Sequence, residues 1–349
     1  MINNSISKIH VKASGEYDVL IGSNLIYGVG ELIKDVLPLC KIAVVTDDRV
    51  DSLYSDIVMR SLKKSGYDVV KFVFKNGEQS KNLDTYAEIL NFLAVNQLTR
   101  TDAVVALGGG VVGDMAGFAS ATYLRGIKYV QIPTTLLAQI DSSVGGKTAV
   151  DLKSGKNLVG AFCQPSMVIC DVEVLNTLPD QIFMDGMGET AKYALLDENV
   201  YELINGEYMI LNKLVCLCID YKRKIVESDE FESGNRKLLN LGHTPAHGIE
   251  RLSEYKIPHG KAVAMGLNII LDASYKHGYI DQNTYANMKE TIIKCVGEQK
   301  CPYSISEICT ASLSDKKRSG NKITLITVHG VGDCQMESIS VDGMTEFLQ

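Results

Sequence analysis

The sequence predicts two domains: an α/β amino-terminal domain built on a parallel sheet, then a mainly α-helical carboxy-terminal domain. Three observations carry this. Apolar runs that read as buried strands alternate with helical spacings through the first half of the chain. One of these runs, Ala103 to Leu107, passes through Gly108, Gly109 and Gly110 into an alanine-rich helical stretch. From about Leu175 onward, strand-like runs give way to helical patterns. At 349 residues the chain is too long for one ordinary core, and the expected domains are 1–174 and 175–349.

The elements follow in order. Ser7 to Val11 and Tyr17 to Ile21 flank Ala13-Ser14-Gly15-Glu16 and predict a hairpin. Leu25, Val29, Leu32, Ile33 and Val36 fall at helical spacing, and Pro38 ends that helix. Lys41 to Thr46 reads as a buried strand, followed by Asp47, Asp48 and a helix to about Ser65. Tyr67 to Lys75 is a strand, residues 76–81 form a polar loop, and Leu83 to Asn96 is a helix. After the glycine stretch come a strand from Tyr129 to Ile132 and then Pro133-Thr134-Thr135. Two loops rich in Gly, Ser and Lys follow, Asp141 to Lys147 and Ser154 to Asn157, equipped to grip an anion with backbone amides and an ammonium. In the second half the helical patterns are Glu189 to Leu196, Tyr201 to Glu227, Pro245 to Leu252 and Lys261 to Lys276. Only Lys322 to Val328 looks extended there.

The glycine stretch is the strongest single feature. Gly108, Gly110 and Gly113 satisfy G-x-G-x-x-G between a strand and a helix. Such a turn aims backbone N–H groups and the positive end of a helix at one point, where a phosphate can sit. The expected fold is therefore Rossmann-like, though a variant. A ribose-binding acid should follow about twenty residues on, and the next strand instead ends in Pro133. Asp47, at the end of an earlier strand, is placed to take that role or simply to cap a helix.

Composition bounds the partners. With 46% hydrophobic and 22% charged residues and a net charge of -7, the chain reads as a globular protein lacking the basic face that nucleic acids and membrane surfaces attract. The longest apolar run, Ala262 to Leu271, is too short to span a bilayer, and MINNSISKIH lacks a signal-peptide core. Nine cysteines include no C-x-x-C, and Cys40, Cys170, Cys216 and Cys218 lie in apolar runs, which points to buried reduced thiols in a cytoplasmic protein.

Chemistry gathers around histidine. His243, His247 and His259 lie close in sequence, with Pro245 read at the first position of a helix and His259 in a loop after Pro258. His243 and His247, one turn apart, can approach the same point. Two imidazoles and a carboxylate would make an open, catalytic type of zinc site. Glu189, flanked by Gly186 and Gly188, is the best carboxylate candidate. Lys192, Lys222, Arg236, Lys237 and Asn240 recur beside these positions, which suits a small polyanionic substrate or, for Lys222 and Lys237, an ordinary solvated helix face.

Taken together, GGGVVGDMAGFASATYLRG, IPTTLLAQIDSSVGGKTAVD, GKNLVGAF, LNLGHTPAHGIE and PHGKAVAMG resemble the 3-dehydroquinate synthase family, and the likeness runs over nearly the whole chain. The resemblance implies an NAD-binding domain, a helical domain, a site in the cleft between them, a divalent metal (zinc or cobalt) and a homodimer. It implies Glu189, His243 and His259 as metal ligands, with His247 beside them touching substrate or water. Cofactor contacts would come from Asp47, Glu78, Lys81, Gly109, Gly110, Val111, Asp114, Thr134, Thr135, Asp141, Ser142, Lys156, Thr177 and Leu178. Lys147, Lys192, His247, Arg236 and Asn240 would act on the substrate. Asn157, Lys222 and one or other of a late pair, Lys316 and Lys317, would hold it, and Arg125 would reach its phosphate, from the partner subunit in one arrangement. Relatives usually show Ala-Glu-Val-Ile-Lys where this chain has Gly188-Glu189-Thr190-Ala191-Lys192, so the Glu and Lys persist.

The implied reaction converts 3-deoxy-D-arabino-heptulosonate 7-phosphate to 3-dehydroquinate. NAD transiently oxidises C5, phosphate leaves by β-elimination, the ketone is reduced, and ring opening precedes an intramolecular aldol closure. The substrate's phosphate can serve as its own base. Three other readings are a metal-dependent polyol or glycerol dehydrogenase, another sugar-phosphate cyclase, and a non-enzymatic binding module. The first shares the glycine turn and histidine cluster but not the SVGGK and GKN segments.

Overall fold

The computed structural model describes residues 6–312 and 321–349. The chain forms two compact units. The first comprises Met1–Leu178 and Lys222–Glu230, and the second Pro179–Tyr221 and Phe231–Gln349.

In the first unit, strands β1 (Ser7–Lys12), β2 (Glu16–Gly22), β3 (Lys41–Asp47), β4 (Asp68–Phe74), β5 (Ala103–Gly108), β6 (Lys128–Pro133) and β9 (Met167–Asp171) make one sheet, ordered β1-β2-β9-β6-β5-β3-β4. Only the β1–β2 hairpin is antiparallel. The pleat explains the unbroken apolar runs. On β3, Ile42 and Val44 enter one core with Val58 and Leu62 of α3 (Asp56–Lys64). Ala43 and Val45 enter the other with Ile89 and Leu93 of α4 (Leu83–Val95) and Met115 of α5 (Gly110–Thr122).

Several expectations are corrected here. The stretch from Leu25 to Val36 is not one helix: it divides into 3-10 turns, Leu25–Gly28 and Ile33–Asp35, on either side of α1 (Val29–Leu32). The segment after β3 begins as α2 (Asp48–Val50) and a π turn before α3. The first anion loop is borne out as turn and bend from Asp141 to Gly146, with only Lys147 entering a strand, whereas the second, Ser154 to Asn157, lies mostly in one. β7 (Lys147–Leu152) and β8 (Gly155–Phe162) pair as an antiparallel hairpin that the sequence reading does not include. That reading also missed β9, which lies between β2 and β6.

In the second unit, α6 begins at Asp180 and runs to Leu196. The predicted helix from Tyr201 to Glu227 is two, α7 (Glu198–Asn205) and α8 (Leu211–Ser228), broken at Gly206. Then come α9 (His243–Leu252), α10 (His259–Lys276), α11 (Gln282–Val296) and α12 (Ile305–Ser312). A hairpin of β10 (Lys322–Gly330) and β11 (Asp333–Ser340) follows, and α13 (Met344–Leu348) closes the chain. Lys322 to Val328 is therefore not the lone late strand, because β11 pairs with it. Pro245 is the third residue of α9 rather than its first, and His259 opens α10 rather than lying in a loop.

Among the described residues no helix is long and apolar enough to cross a membrane. None of the nine cysteines forms a disulfide; Cys170 and Cys218 are buried as expected, while Cys40 and Cys216 are only half-buried.

Candidate active site

The first unit sets a glycine-lined strand-to-helix turn at a topological switch point. The chain moves outward from β3 to β4, then returns past β3 to lay down β5 and β6 on its other side, so the crevice beyond the carboxyl ends of β3 and β5 is where such sheets bind ligands. Asp47 ends β3 and Gly108 ends β5. Gly109 caps α5, and a Cβ there would lie 2.9 Å from Thr135 Cγ2, so the close approach requires glycine. Beside it, the buried Thr134 hydroxyl has no hydrogen-bond partner within the protein. An orphaned hydroxyl next to glycines at the N-terminus of a helix is what a pyrophosphate-bearing ligand would complete.

Within the same unit a buried ammonium gathers three segments. Lys81 Nζ donates to Asp114 Oδ2 at 2.5 Å and to Asn157 Oδ1 at 2.6 Å, while its carbonyl accepts from Asp151 N at 2.8 Å. Burial alone would depress the Lys81 pKa, but the carboxylates of Asp114 and Glu78 raise it above the ordinary value. Burial raises that of Asp114. Asn157 is held in left-handed conformation at φ 54°, its amide donating to Asp151 Oδ1 at 2.7 Å. Lys156 lies 3.9 Å from Glu78.

The other predicted residues of this unit divide. Lys222 Nζ is ion-paired with Asp141 and donates to its carbonyl at 2.7 Å. Ser142 packs at Gly110. Lys147 is exposed at the start of β7, and Val111 is half-buried in the first turn of α5. Asp47 does cap its helix, accepting from Arg49 N at 3.0 Å and Val50 N at 2.8 Å. Thr177 bonds Tyr54 at 2.5 Å, and Leu178 follows it at the unit's end. Arg125 is exposed in a turn whose residues Leu124, Arg125 and Gly126 all have positive φ, and it joins none of these groups.

The second unit holds a compact donor cluster. Glu189 Oε1 lies 3.3 Å from His243 Nε2 and 3.0 Å from His259 Nε2, and one ligand atom from each of the three residues falls within 4.8 Å of the others. Glycine contacts bring the three helices together. A Cβ at Gly188 would lie 2.1 Å from the Gly260 carbonyl oxygen, and one at Gly266 2.1 Å from that of Gly242. Thus α6 and α10 touch backbone to backbone beside Glu189 and His259, and α10 meets the N-terminus of α9 beside His243.

Electrostatics bind the cluster more tightly. Lys192 Nζ sits 2.6 Å from Glu189 Oε2, and both side chains are almost wholly buried. Burial would raise the Glu189 pKa, yet the Lys192 ammonium and the hydrogen-bonding imidazoles of His243 and His259 hold it well below the ordinary carboxylate value. Burial pushes His243 down to about 4. For His259 burial is outweighed by hydrogen bonds to Glu189 and Glu250, which raise it to about 10.

These donors fit a divalent ion. His243 Nδ1 faces the Leu241 carbonyl at 3.1 Å, so in the neutral ring that nitrogen carries the proton and Nε2 presents a lone pair. A lone pair turned toward a carboxylate oxygen calls for a cation shared by both. His247 stands beside them, its ring centroid 5.7 Å from that of His243 and 6.4 Å from that of His259, outside the donor set. Arg236 is buried and Asn240 half-buried in the 3-10 segment Asn235–Asn240. Lys316 and Lys317 lie outside the described residues.

Sequence reasoning missed two acids. Glu232 accepts from Asn240 Nδ2 at 2.6 Å, a pairing without a recognisable motif. Glu250 backs His259 and lies seven residues after His243, two helical turns along one face, a spacing that could have found it.

The chain matches known proteins over nearly its whole length. Residues 71–185 match the family model described as 3-dehydroquinate synthase N-terminal, and residues 186–318 the one described as 3-dehydroquinate synthase C-terminal. The chain is 41% identical over 343 residues to a 3-dehydroquinate synthase of Streptococcus thermophilus, covering 95% of this chain and 97% of the relative. It is 40% identical over 347 residues to that of Clostridium acetobutylicum, covering 95% and 96%. The fold is shared with 2-deoxy-scyllo-inosose synthase, solved with carbaglucose-6-phosphate, NAD+ and Co2+ (TM-score 0.86, 24% identity, 98% and 99% covered). It is also shared with 2-epi-5-epi-valiolone synthase from Streptomyces hygroscopicus, solved with NAD+ and Zn2+ (TM-score 0.86, 22% identity, 98% of each chain).

Proposed function

Because the chain belongs to the 3-dehydroquinate synthase family, we propose that it converts 3-deoxy-D-arabino-heptulosonate 7-phosphate to 3-dehydroquinate and phosphate. The observation that carries this is the meeting of Glu189 Oε1 with two imidazole Nε2 atoms at 3.0 and 3.3 Å, in a chain that also builds a glycine-lined pyrophosphate cradle.

Gly109, Gly110, Thr134 and Asp114 would hold NAD, and Glu189, His243 and His259 would hold zinc or cobalt. Bound there, the nucleotide supplies a reversible hydride acceptor and the ion a Lewis acid that lowers the pKa of a coordinated hydroxyl. The chain's own residues do the rest. In the first unit, Lys147 and Lys222 offer cations to a substrate bearing a carboxylate and a phosphate, and Asn157, oriented by Lys81, offers an amide to a hydroxyl. In the second unit, Arg236 and Asn240 offer a guanidinium and an amide, and Lys192 holds Glu189 ionised. His247, near the donors but outside them, is placed to hold or exchange a proton. The substrate brings its own basic phosphate, so positioning and electrostatic stabilisation carry most of the catalysis. The reading includes a cytoplasmic homodimer in which Arg125 serves a substrate phosphate.

Phosphate release from the heptulosonate phosphate, followed with and without a chelator, tests this. The expected result is metal-dependent release with no net NADH, lost in Glu189→Ala. Net NADH formation from glycerol without phosphate release would overturn it in favour of a polyol dehydrogenase.

A further inference from the structure

We infer that Glu250 is a positioning residue for the metal centre: its carboxylate accepts the Nδ1 proton of His259, sets that ring's tautomer and orientation, and strengthens its hold on a divalent ion. The inference rests on the metal reading above.

Glu250 belongs to α9, the helix that also supplies His243, and its side chain is 5% exposed. Its Oε2 lies 3.3 Å from His259 Nδ1, while Nε2 of the same ring points at Glu189 Oε1, 3.0 Å away. The His259 ring therefore spans two carboxylates, one on the ligand side and one behind it. With Nδ1 committed to Glu250 as a donor, Nε2 is left as the ligating atom.

The two imidazoles are buttressed unequally. His243 Nδ1 is met by a neutral carbonyl, that of Leu241, whereas His259 Nδ1 is met by a full negative charge. A charged acceptor makes the ring a stronger donor to a metal, and such outer carboxylates are worth about 10–100-fold in metal affinity.

The Glu250 backbone carbonyl closes the end of α9, accepting from Tyr255 N at 2.7 Å and Ser253 Oγ at 2.9 Å. Asp185 meets the first turn of α10, accepting from Gly260 N at 2.5 Å. A buried carboxylate is costly to ionise unless its partners repay it, and here it is aimed at a ligand ring.

Glu250→Gln keeps the shape and an acceptor oxygen while removing the charge. Zinc affinity is read by competition with a chromophoric chelator, and Co2+-loaded protein is read by its visible d–d bands. The expected result is a zinc Kd weakened about 10–100-fold, with shifted Co2+ bands and a far-UV circular dichroism spectrum of the metal-free protein like that of the unsubstituted protein. Glu250→Asp, which restores the charge, should recover part of the affinity. Unchanged zinc affinity together with unchanged Co2+ bands in Glu250→Gln would overturn the inference. If Glu250→Gln does not fold without metal, Glu250→Asp decides alone: an affinity equal to that of the unsubstituted protein refutes the role, and a weakened one with altered bands supports it. Failure of the unsubstituted protein to bind zinc or Co2+ would instead sink the metal reading itself.

Discussion

Replacing Gly260 with Ala should disable the metal site without touching a ligand. The added methyl would lie 1.8 Å from the Asp185 carbonyl oxygen and 2.7 Å from its carbon, where ordinary contact begins at 3.4 Å. Backbone faces it rather than a flexible side chain, so the first turn of α10 must draw away from α6 by roughly 1.6 Å. The neighbouring His259 goes with it, and its Nε2, now 3.0 Å from Glu189 Oε1, recedes to on the order of 4.5 Å. Donors sharing one tetrahedral zinc at about 2.0–2.2 Å each stand about 3.4 Å apart, so the widened pair no longer suits a common ion. Overpacking of this kind costs about 1–3 kcal/mol, which lowers Tm by roughly 3–10 °C. The expected outcome in a chelator titration is a zinc Kd weaker by about tenfold or more, with the melt shifted downward in parallel. A variant that melts like the unsubstituted protein and binds zinc equally well would refute the close-packing argument.

Three further outcomes are expected. In metal-free protein the His259 pKa is raised to about 10, above its ordinary value near 6.5, so its contribution to stability is complete below the ordinary value and disappears as pH rises through the folded one. Melting in chelator should therefore decline across that window more steeply than in His259→Gln, and parallel curves would contradict it. Lys81→Met removes the cation from Asp114 and releases Asn157. It should weaken NAD binding and make the β7–β8 turn sensitive to protease, and unaltered nucleotide affinity would count against the role given to Lys81. Lys147→Ala, at an exposed position, should lower kcat/KM with an unchanged melt, whereas unchanged kinetics would remove Lys147 from the site.

How much of this was legible in the sequence follows from where each signal resides. Strands β3, β5 and β6 are covered on both faces, so their middles are almost unbroken apolar runs and stand out. β11, DCQMESIS, pairs with β10 yet exposes five of its eight residues and buries none, so no apolar run marks it. The break between α7 and α8 hides because Tyr208, Met209 and Ile210 look like a continuing apolar face, yet Tyr208 and Ile210 are well exposed. Within the site, His243, His247 and Glu250 are legible from helical spacing alone. The pairing of Lys222 with Asp141, or of Lys81 with Asn157, joins segments far apart in sequence, and only the folded chain brings them together.

The ion pair between Lys192 and Glu189 bears on how many places around an ion remain open. With Oε2 facing the ammonium at 2.6 Å, Glu189 would be left with Oε1 for an ion. Glu189, His243 and His259 together would then supply one oxygen and two nitrogens, leaving positions for substrate oxygens. Exchanging Lys192 for a neutral residue would let the carboxylate swing to bidentate attachment and crowd one of those oxygens out.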